Sequence, residues 1–360
     1  MKFLDLFAGI GGFRLGMESA GHECIGFCEI DKFARVSYKA IHDTKGEIEL
    51  HDITAVSDEF VRGIGSVDII CGGFPCQAFS IAGNRRGFED TRGTLFFEIA
   101  RFASILRPKY LFLENVKGLL NHENGITFET IISTLDELGY NVEWQVLNSK
   151  DFGVPQNRER VFIIGHFRGE RTRRIFPLGG ENQSTSSQSV VKIGNVNPSG
   201  NGMNGEVYQA DGLAPTLTTN KGEGQKIAIK SNTIKQFGVL QPNFNQCGVV
   251  YETDGIAPTI RAYQGGGLEP KIIQRSHGYN QGGVHEIAPT LTSNSYHENN
   301  HLSFGYRIRK LTPRECWRLQ GFPDWTFDKA QEVNSNCQLY KQAGNSVTVN
   351  VIAAIAKELE

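Results

Sequence analysis

The sequence predicts an α/β fold, with a mixed sheet that has helices on both faces and a smaller, loop-rich β domain after it. Two observations predict this fold class. From residue 1 to about residue 167, short apolar runs alternate with stretches of helical periodicity, which is typical of a mostly parallel sheet covered by helices. From about 190 to 300 the chain is rich in Gly, Asn, Thr and β-branched residues and shows little helical periodicity. The length of 360 residues suits one large domain and a smaller one.

Local patterns in the first region give the order of its strands and helices. The predicted strands cover residues 3–6, 24–28, 67–71 and 110–113, and the predicted helices cover 13–21, 95–106 and 126–138. Two further apolar runs, 142–147 and 160–166, are separated by only about a dozen residues, which is short for a helical crossover. We therefore expect these two runs to form an antiparallel pair at the edge of the sheet.

Composition places the chain among ordinary globular proteins. Its 37 Lys+Arg against 39 Asp+Glu give a net charge of −2, so any nucleic-acid-binding face must be a local patch. Seven cysteines, an odd number, indicate reduced thiols rather than a disulfide framework. No run approaches the ~18 apolar residues of a membrane span and no signal peptide is visible, so we expect a cytoplasmic protein with no membrane partner.

Changes in composition divide the chain into segments. Four arginines between 168 and 174, followed by a polar run, predict a domain boundary near residue 178. The predicted segments are 1–178, 179–305, 306–335 and 336–360, of which the third is a hinge with a basic helix and the fourth a helix that packs back on the first. Ala-Pro-Thr occurs in the second segment at 214, 257 and 288, with irregular spacing that argues against a solenoid. A capping-box pattern at Thr312 predicts the start of the basic helix.

The turn after the first strand carries a candidate cofactor site. Gly9 and Gly11 lie between that strand and the first helix, where backbone amides can approach a ligand, although tight packing alone also explains such a turn. Glu29 follows the second strand about 20 residues on, where a carboxylate binds ribose hydroxyls in nucleotide-binding sheets. Together these residues indicate a nucleoside-like cofactor. The spacing of a pyrophosphate fingerprint is not met, so a dinucleotide is not required.

Three further segments carry candidate chemistry. Cys76 directly follows Pro75 in a loop after a buried strand, whereas Cys71 lies within that strand and is expected to be a packed thiol. A single loop cysteine is structural in most proteins, so its neighbours decide its role. Glu114 follows the predicted end of another strand and could act as a general acid if burial keeps it protonated. Arg160 closes a charged run from residue 156 that could equally be a solvated turn.

The order of these segments resembles the bacterial and phage cytosine-5 DNA methyltransferases of the type II restriction–modification kind. The matching stretches are residues 5–12, 73–77, 114–116, 156–160, 309–323 and 340–347. The resemblance covers residues 1–167 and 307–360 and reaches 255–267, which is similar to part of the family's DNA-reading domain. It implies a Rossmann-like methyltransferase domain in 1–178 and a target-recognition domain in 179–305. It also implies S-adenosylmethionine as methyl donor and no metal.

The resemblance assigns roles to individual residues. Cys76 would add to carbon 6 of a cytosine flipped out of double-stranded DNA, Glu114 would hydrogen-bond N3, and Arg160 would contact the base. The cofactor residues it implies are Phe7, Gly9, Gly11, Glu29, Ile30, Asp52, Ile53, Pro75, Asn345 and Val347. Ile30 stands where several relatives have Trp to stack on adenine. The DNA-binding residues it implies are Arg85 and Arg92 in a lid that spans 78–92, and Arg261, Tyr263 and Gln264 in the reading domain.

Three other functions fit parts of the sequence. The family includes a branch that acts on transfer RNA, but that branch lacks so long a Gly-rich insert as residues 190–300. A DNA-binding regulator that had lost catalysis would lack Cys76, Glu114 or Arg160, and a nicotinamide-dependent oxidoreductase would not explain the segments around Cys76 and Glu114. Double-stranded DNA is therefore the expected partner. The resemblance also makes a cognate restriction endonuclease a candidate partner, without a stable complex, and favours a monomer.

Overall fold

The structure is a computed structural model that divides into two compact units. The described residues are 1–75, 95–179, 190–195, 206–210, 212–217, 226–230, 236–239, 249–251, 272–274, 283–285, 300–301 and 306–360. The first unit comprises Met1–Ser189, Leu213–Gly222 and Thr312–Glu360, and the second comprises Val190–Gly212 and Glu223–Leu311. A short piece of chain from the middle of the sequence, Leu213–Gly222, therefore belongs to the first unit.

A seven-stranded sheet forms the centre of the first unit. Its strands are β1 (Lys2–Leu6), β2 (Glu23–Cys28), β3 (Ile48–Leu50), β4 (Ile69–Gly73), β5 (Tyr110–Val116), β6 (Tyr140–Asn148) and β7 (Glu159–Phe167). Their order across the sheet is β3-β2-β1-β4-β5-β7-β6. The first five strands are parallel, and β7 runs antiparallel to both β5 and β6. The predicted antiparallel pair is confirmed, but only β6 lies at the edge, because β7 is inserted between β5 and β6.

Helices cover both faces of this sheet. They are α1 (Gly12–Ser19), α2 (Lys32–Ile41), α3 (Asp58–Gly63), α4 (Leu95–Leu106), α5 (Ile126–Glu137), α6 (Pro313–Leu319), α7 (Asp324–Gln331), α8 (Asn336–Asn345) and α9 (Val349–Ala356). The predicted capping box is confirmed, since the Thr312 hydroxyl accepts from the Glu315 amide and the Glu315 carboxylate accepts from the Thr312 amide. No helix among the described residues is long and apolar enough to cross a membrane.

Alternate side chains of the strands point into two separate hydrophobic cores. Leu4, Leu6 and Ile70 point to the face covered by α4 and α5. Phe3 and Cys71 belong to the opposite core, which also holds apolar residues of α1 and α9. This alternation follows from the two-residue period of a strand. Cys71 is fully buried, which confirms it as a core thiol, and burial raises its pKa well above the ordinary value.

Close packing brings the C-terminal helix against α1. A Cβ atom at Gly16 would lie 2.6 Å from the Cβ atom of Ile352, so the two helices approach at a position where only glycine fits. Within the predicted C-terminal segment 336–360, α9 begins at Val349, and its N-cap residue Thr348 has extended backbone angles.

The described part of the second unit consists of short strands. They are β8 (Lys192–Asn195), β9 (Glu206–Gln209), β10 (Lys226–Lys230), β11 (Gln236–Val239), β12 (Val249–Tyr251), β13 (Ile272–Gln274), β14 (Gly283–His285), β15 (Asn300–His301) and β16 (Tyr306–Lys310). Four of them form a sheet in the order β16-β10-β9-β8, in which β10 is antiparallel to β16. Residues 306–310, which begin the predicted segment 306–335, form β16 of this unit.

Candidate active site

The end of strand β4 lies directly beside Glu114. In the parallel pairing of β4 with β5, Gly73 is opposite Glu114. A Cβ atom at Gly73 would lie 2.9 Å from Oε2 of Glu114 and 3.7 Å from Cγ1 of Val347. Asn115 Nδ2 donates a 2.9 Å hydrogen bond to the Phe74 carbonyl oxygen, and this bond is buried. The chain is therefore held next to the Glu114 carboxyl group up to Pro75.

Several residues predicted from the sequence lie outside the described residues. These are Cys76, Arg85, Arg92, Arg261, Tyr263 and Gln264. Their predicted roles stay predictions. What the structure describes is the chain that leads to Cys76 and the side chains around its end.

Glu114 and Arg160 form a buried ion pair. Nε of Arg160 lies 2.9 Å from Oε1 of Glu114, and both side chains are largely shielded from solvent. Glu114 pairs with Phe162 in the antiparallel ladder, so Arg160 is two residues away on β7 and faces the same side of the sheet. Burial raises the pKa of Glu114, and the positive charges of Arg160 and Arg158 oppose that rise. The prediction that Glu114 follows a strand end is wrong, because β5 continues to Val116.

Arg158 is a residue that sequence reasoning did not single out. It is 3% exposed, and its guanidinium donates to three carbonyl oxygens, those of Ser346 at 2.8 Å, Gly344 at 3.3 Å and Leu217 at 3.3 Å. Burial lowers the pKa of Arg158, and the neighbouring Glu114 carboxylate opposes this effect. The alternation of Arg158 and Arg160 around Glu159 was the available signal, because alternate residues of an extended chain share a face.

A chain of buried hydrogen bonds continues from Arg158 to the C-terminal helices. The Ser149 amide donates to the Arg158 carbonyl oxygen at 3.0 Å, and the hydroxyl groups of Ser149 and Thr348 are 2.8 Å apart. Thr348 in turn donates to Gln320 Oε1 at 3.0 Å, and Gln320 Nε2 donates to the Ala343 carbonyl oxygen at 2.8 Å. These bonds fix the start of β7, where Arg160 lies, to the segment that carries Val347.

The β1–α1 turn forms a concave surface beside Glu29. Phe7, Gly9 and Gly11 all have positive φ angles, of 56°, 58° and 85°. The two oxygens of the Glu29 carboxylate each accept a 2.8 Å bond from a backbone amide, one from Gly9 and one from Asp31. A Cβ atom at Gly9 would meet nothing within 4 Å in the described part of the chain, so open space lies over the turn there. Burial raises the pKa of Glu29.

Side chains around this turn differ in how well they suit an adenosine group. Ile30 is 68% exposed next to Glu29, an apolar surface on which a base can lie. Asp52 accepts hydrogen bonds from the Thr54 amide and hydroxyl, which lower its pKa and keep it an acceptor. Ile53 is only 3% exposed and packs in the core. Open space, an acceptor and an apolar surface together fit the nucleoside-like cofactor that the sequence predicts.

The C-terminal segment borders the other side of the turn. Val347 Cγ2 would lie 2.8 Å from a Cβ atom at Gly12, and Val347 is also next to Gly73. Asn345, at the end of α8, is exposed. Val347 thus touches both the cofactor turn and the strand end beside Glu114, which brings these two predicted sites together.

His42 is a second residue that sequence reasoning missed. Its ring occupies the space that a Cβ atom at Gly11 would need, and its Nε2 lies 3.4 Å from the Ile10 carbonyl oxygen. Burial lowers the pKa of His42 to about 3, so the ring is neutral at physiological pH. Nothing in the sequence pattern pointed to it, because it lies 31 residues beyond Gly11 and contacts the turn only in the fold.

Metal ligands do not cluster in the described part of the chain. No group of three or more His, Cys, Asp or Glu residues there could hold a metal ion. The five described cysteines are all free thiols.

Comparisons with known proteins identify one family over the whole chain. The model of the C-5 cytosine-specific DNA methylase family matches residues 1–360. The orphan methyltransferase M.SPRI of Bacillus phage SPR is 36% identical over 446 aligned residues, which cover 100% of this chain and 97% of that protein. The type II methyltransferase M.HhaI of Haemophilus parahaemolyticus is 37% identical and covers 99% of this chain and 93% of its own.

Solved structures with lower sequence identity share the fold. The DNMT2 structure from Spodoptera frugiperda superimposes with a TM-score of 0.58 at 20% identity and covers 99% of this chain and 98% of its own. Dnmt2 of S. pombe gives a TM-score of 0.58 at 18% identity and covers 98% and 96%. With the family model matched from the first residue to the last and curated relatives above 30% identity, the chain belongs to the C-5 cytosine-specific DNA methylases.

Proposed function

We propose that this chain, as a C-5 cytosine DNA methyltransferase, acts through a covalent Cys76 adduct while Glu114 and Arg160 hold the target base. One observation carries the proposal: the buried Glu114–Arg160 pair lies against Gly73, three residues before Cys76. A nucleophile delivered by that loop would meet an acid and a cation that are already positioned by the sheet. Preorganised groups of this kind contribute more than mobile ones, because no reorganisation is needed during the reaction.

Cytosine must be activated before its carbon 5 can react. The Cys76 thiolate forms a bond to carbon 6, and the ring electron pair that it displaces moves to N3, where the Glu114 carboxyl group donates its proton. Carbon 5 then has enamine character and forms a bond to the methyl carbon. S-adenosylmethionine supplies that methyl group on a sulfonium, which leaves as a neutral thioether. A base outside this assignment removes the carbon 5 proton, the thiolate leaves carbon 6, and the N3 proton returns to Glu114.

Arg160 serves the pair in two ways. Its guanidinium fixes the rotamer of Glu114 through the 2.9 Å contact, and its Nη2 group would donate toward the base, since Nη1 donates to the Glu159 carbonyl oxygen. Arg160 also opposes the rise in the pKa of Glu114 that burial causes, so the carboxyl group can both give up and recover a proton.

The cofactor would lie over the β1–α1 turn. We assign the ribose hydroxyls to Glu29, one face of adenine to Ile30 and the adenine amino group to Asp52, with Ile53 contributing only backbone. The assigned contacts along the rest of the molecule are Phe7, Gly9, Gly11, Pro75, Asn345 and Val347. Support comes from the open space over Gly9 and from Val347, which touches both this turn and Gly73. This arrangement would direct the methyl group toward the Glu114 side of the sheet end.

The proposed substrate is double-stranded DNA, in which the reacting atoms of cytosine lie inside the base stack. Carbon 6 cannot be reached by Cys76 inside a duplex, so the cytosine is flipped into the site. Arg85 and Arg92 would contact phosphates, and Arg261, Tyr263 and Gln264 would read the bases. We assign catalysis and cofactor binding to residues 1–178, sequence reading to 179–305, a hinge to 306–335 and a supporting helix to 336–360.

The biological setting follows from the substrate. DNA as substrate favours a monomer that acts on the chromosome in the cytoplasm of a bacterial or phage-infected cell. The relatives are named both as orphan and as type II methyltransferases. A cognate endonuclease is therefore a candidate partner, and we expect no stable complex with it. Whether cells that carry this chain also cleave unmodified DNA at the sequence that the chain methylates decides this point.

Bisulfite sequencing tests the proposed activity and its nucleophile together. DNA is taken from cells that express the unmodified chain or the Cys76→Ala variant, in a host without its own cytosine methylation. We expect methylated cytosines in one short sequence context with the unmodified chain and none with the variant. Absence of cytosine methylation in both cultures would overturn the function, and equal methylation in both would overturn the nucleophile.

A further inference from the structure

The first Ala-Pro-Thr copy binds the loop before strand β7. The Ala214 amide donates to the Pro155 carbonyl oxygen at 2.8 Å, and the Asn157 amide donates to the Ala214 carbonyl oxygen at 2.8 Å. The Thr216 hydroxyl donates to the Asn157 carbonyl oxygen at 2.8 Å. Residues 213–217, which we call the strap, thus form a short ladder with the loop, and both belong to the first unit.

A fourth bond joins the strap to Arg158. Nη1 of Arg158 donates to the Leu217 carbonyl oxygen at 3.3 Å, while Nη2 donates to Ser346. Arg158 is two residues before Arg160, whose guanidinium contacts Glu114. The strap therefore lies two residues of extended chain from the pair that would hold the base. A displacement at Asn157 or Arg158 would be passed to Arg160, because Arg160 lies at the start of β7, only two residues beyond Arg158.

The loop beneath the strap needs external support. Gln156 is completely buried, and among the described residues neither its amide oxygen nor its amide nitrogen has a hydrogen-bond partner. A buried amide without a hydrogen-bond partner is unfavourable, so this loop is unfavourable taken alone. Strap bonds on both sides of Gln156, at Pro155 and Asn157, compensate for this cost.

We propose that the strap positions Arg160 for catalysis and does not read DNA, although its sequence recurs in the domain assigned to DNA reading. The proposal rests on the proposed function of Glu114 and Arg160. The strap touches neither of them directly and acts through Asn157 and Arg158. The three Ala-Pro-Thr copies would then differ in role, with the first serving the chemical step.

Substitutions at Thr216 separate a positioning role from a reading role. Thr216→Val removes the hydroxyl donor at nearly constant shape, and Thr216→Ser retains it. Thr259→Val and Thr290→Val make the same change in the other two copies. For each variant, the single-turnover rate of methyl transfer to unmethylated plasmid DNA, the KM for that DNA and the methylated sequence are measured at a temperature where circular dichroism shows the folded protein.

If the strap positions Arg160, the Thr216 variants should give one pattern of results. Thr216→Val lowers the single-turnover rate by roughly 3–10-fold, the loss expected for one hydrogen bond, and leaves the KM for DNA and the methylated sequence unchanged. Thr216→Ser restores the rate, whereas Thr259→Val and Thr290→Val, which lie in copies assigned to DNA reading, change the KM for DNA or the methylated sequence and not the single-turnover rate. In Thr216→Val, a changed sequence or a raised KM with an unchanged rate would show that the strap reads DNA, and no change at all would equally overturn the proposal.

Failure of the strap and failure of the proposed site give different results. If Cys76→Ala and Arg160→Ala abolish transfer while Thr216→Val is unaltered, only the strap is overturned. If Arg160→Ala retains the full rate, the proposed role of Arg160 is wrong and the strap has nothing to position. A rate loss in Thr216→Val that Thr216→Ser does not restore would overturn the hydrogen bond as its cause.

Discussion

Arg160 Nε lies 2.9 Å from Glu114 Oε1 across strands β7 and β5, and this contact joins a buried acid to a buried cation beside the end of β4. Opposed effects set the protonation of Glu114, since burial raises its pKa and the guanidinium opposes that rise. An isolated carboxylate would be costly in such a place, and an isolated carboxylic acid would be slow to give up its proton. The contact with Arg160 keeps both the carboxylate and the carboxylic acid form of Glu114 accessible.

Glu114→Gln should remove the proton that stabilises N3 while preserving the shape of the side chain. We expect methyl transfer to fall by about 10²–10⁴-fold, the range usual for loss of a general acid. Binding of S-adenosylmethionine should remain, which calorimetry can show. Glu159→Gln is the matched control, because Glu159 is an exposed neighbour of Arg160 that contacts Lys117. A Glu114→Gln enzyme with near-normal rate would remove Glu114 from the mechanism.

The dependence of the transfer rate on pH should respond to the charge at residue 160. If transfer requires protonated Glu114, the rate falls as the pH rises through the pKa of that group. Arg160→Gln removes a positive charge that lowers this pKa, so the alkaline limb should move to higher pH even though the maximal rate is smaller. Single-turnover rates from pH 5 to 9 measure the shift. Movement of that limb to lower pH would contradict the assigned interaction.

Substitutions of the neighbouring glycines Gly72 and Gly73 in β4 should affect different properties, one the stability and the other the transfer rate. A Cβ atom at Gly73 would crowd the Glu114 carboxylate, so Gly73→Ala should reduce the transfer rate by about tenfold or more with little change in stability. A Cβ atom at Gly72 would overlap the Leu6 carbonyl oxygen, a backbone atom that cannot turn aside. Gly72→Ala should therefore lower the free energy of unfolding by about 1–3 kcal/mol.

Urea unfolding and transfer assays on the same preparations separate these two effects. Gly118→Ala is the control, since a Cβ atom there would meet nothing within 4 Å. If Gly73→Ala unfolded as readily as Gly72→Ala while losing no activity when folded, the contact with Glu114 would have no catalytic meaning.

Features that depend on residues close together in the chain could be predicted from the sequence. Alternating apolar runs identified the strands of the first unit, and the position of Cys71 inside a strand was enough to assign it to the core. Arg158 escaped notice because its bonding partners are distant in the chain, with Leu217 59 residues away and Ser346 188 residues away. His42 was not predicted for the same reason, because it contacts Gly11 only in the folded chain. Such contacts depend on which segments the fold brings together, and no local pattern records them.

Buried Asp5 should make stability depend on pH. Its side chain is fully buried on β1, and burial raises its pKa to about 8, although Arg14 and the Tyr38 hydroxyl oppose this. The folded protein therefore holds a proton that the unfolded chain releases near its ordinary pKa of 3.8. The sign follows: between about pH 4 and 8 the native state binds more protons, so stability falls as pH rises through this range.

Asp5→Asn should abolish that dependence, because an amide resembles the neutral acid at every pH. We expect the difference in unfolding free energy between wild type and variant to shift in favour of the variant from pH 5 to pH 8, on the order of 2–4 kcal/mol. Urea titrations at both pH values measure it. Asp43→Asn, an exposed carboxylate in the same region, should show no such shift. A difference that stays constant with pH would mean that Asp5 is ionised in the fold.

Ile30→Trp tests the adenine side of the cofactor site. The backbone at this position is fixed, because Arg35 Nη1 donates to the carbonyl oxygens of Glu29 and Ile30 at 2.8 Å each, while the Ile30 side chain is 68% exposed. An indole here, as in the relatives that carry Trp, could stack on adenine without moving Glu29.

Stacking of this kind is worth about 0.5–1.5 kcal/mol beyond its buried area, so the Kd for S-adenosylhomocysteine should fall by roughly 3–10-fold. Isothermal titration calorimetry measures it. Phe60→Trp, which places an indole at another half-exposed position on α3, should leave the Kd unchanged. An unchanged Kd in Ile30→Trp would place adenine elsewhere, and weaker binding would show that the indole takes the space of the adenine instead of stacking on it.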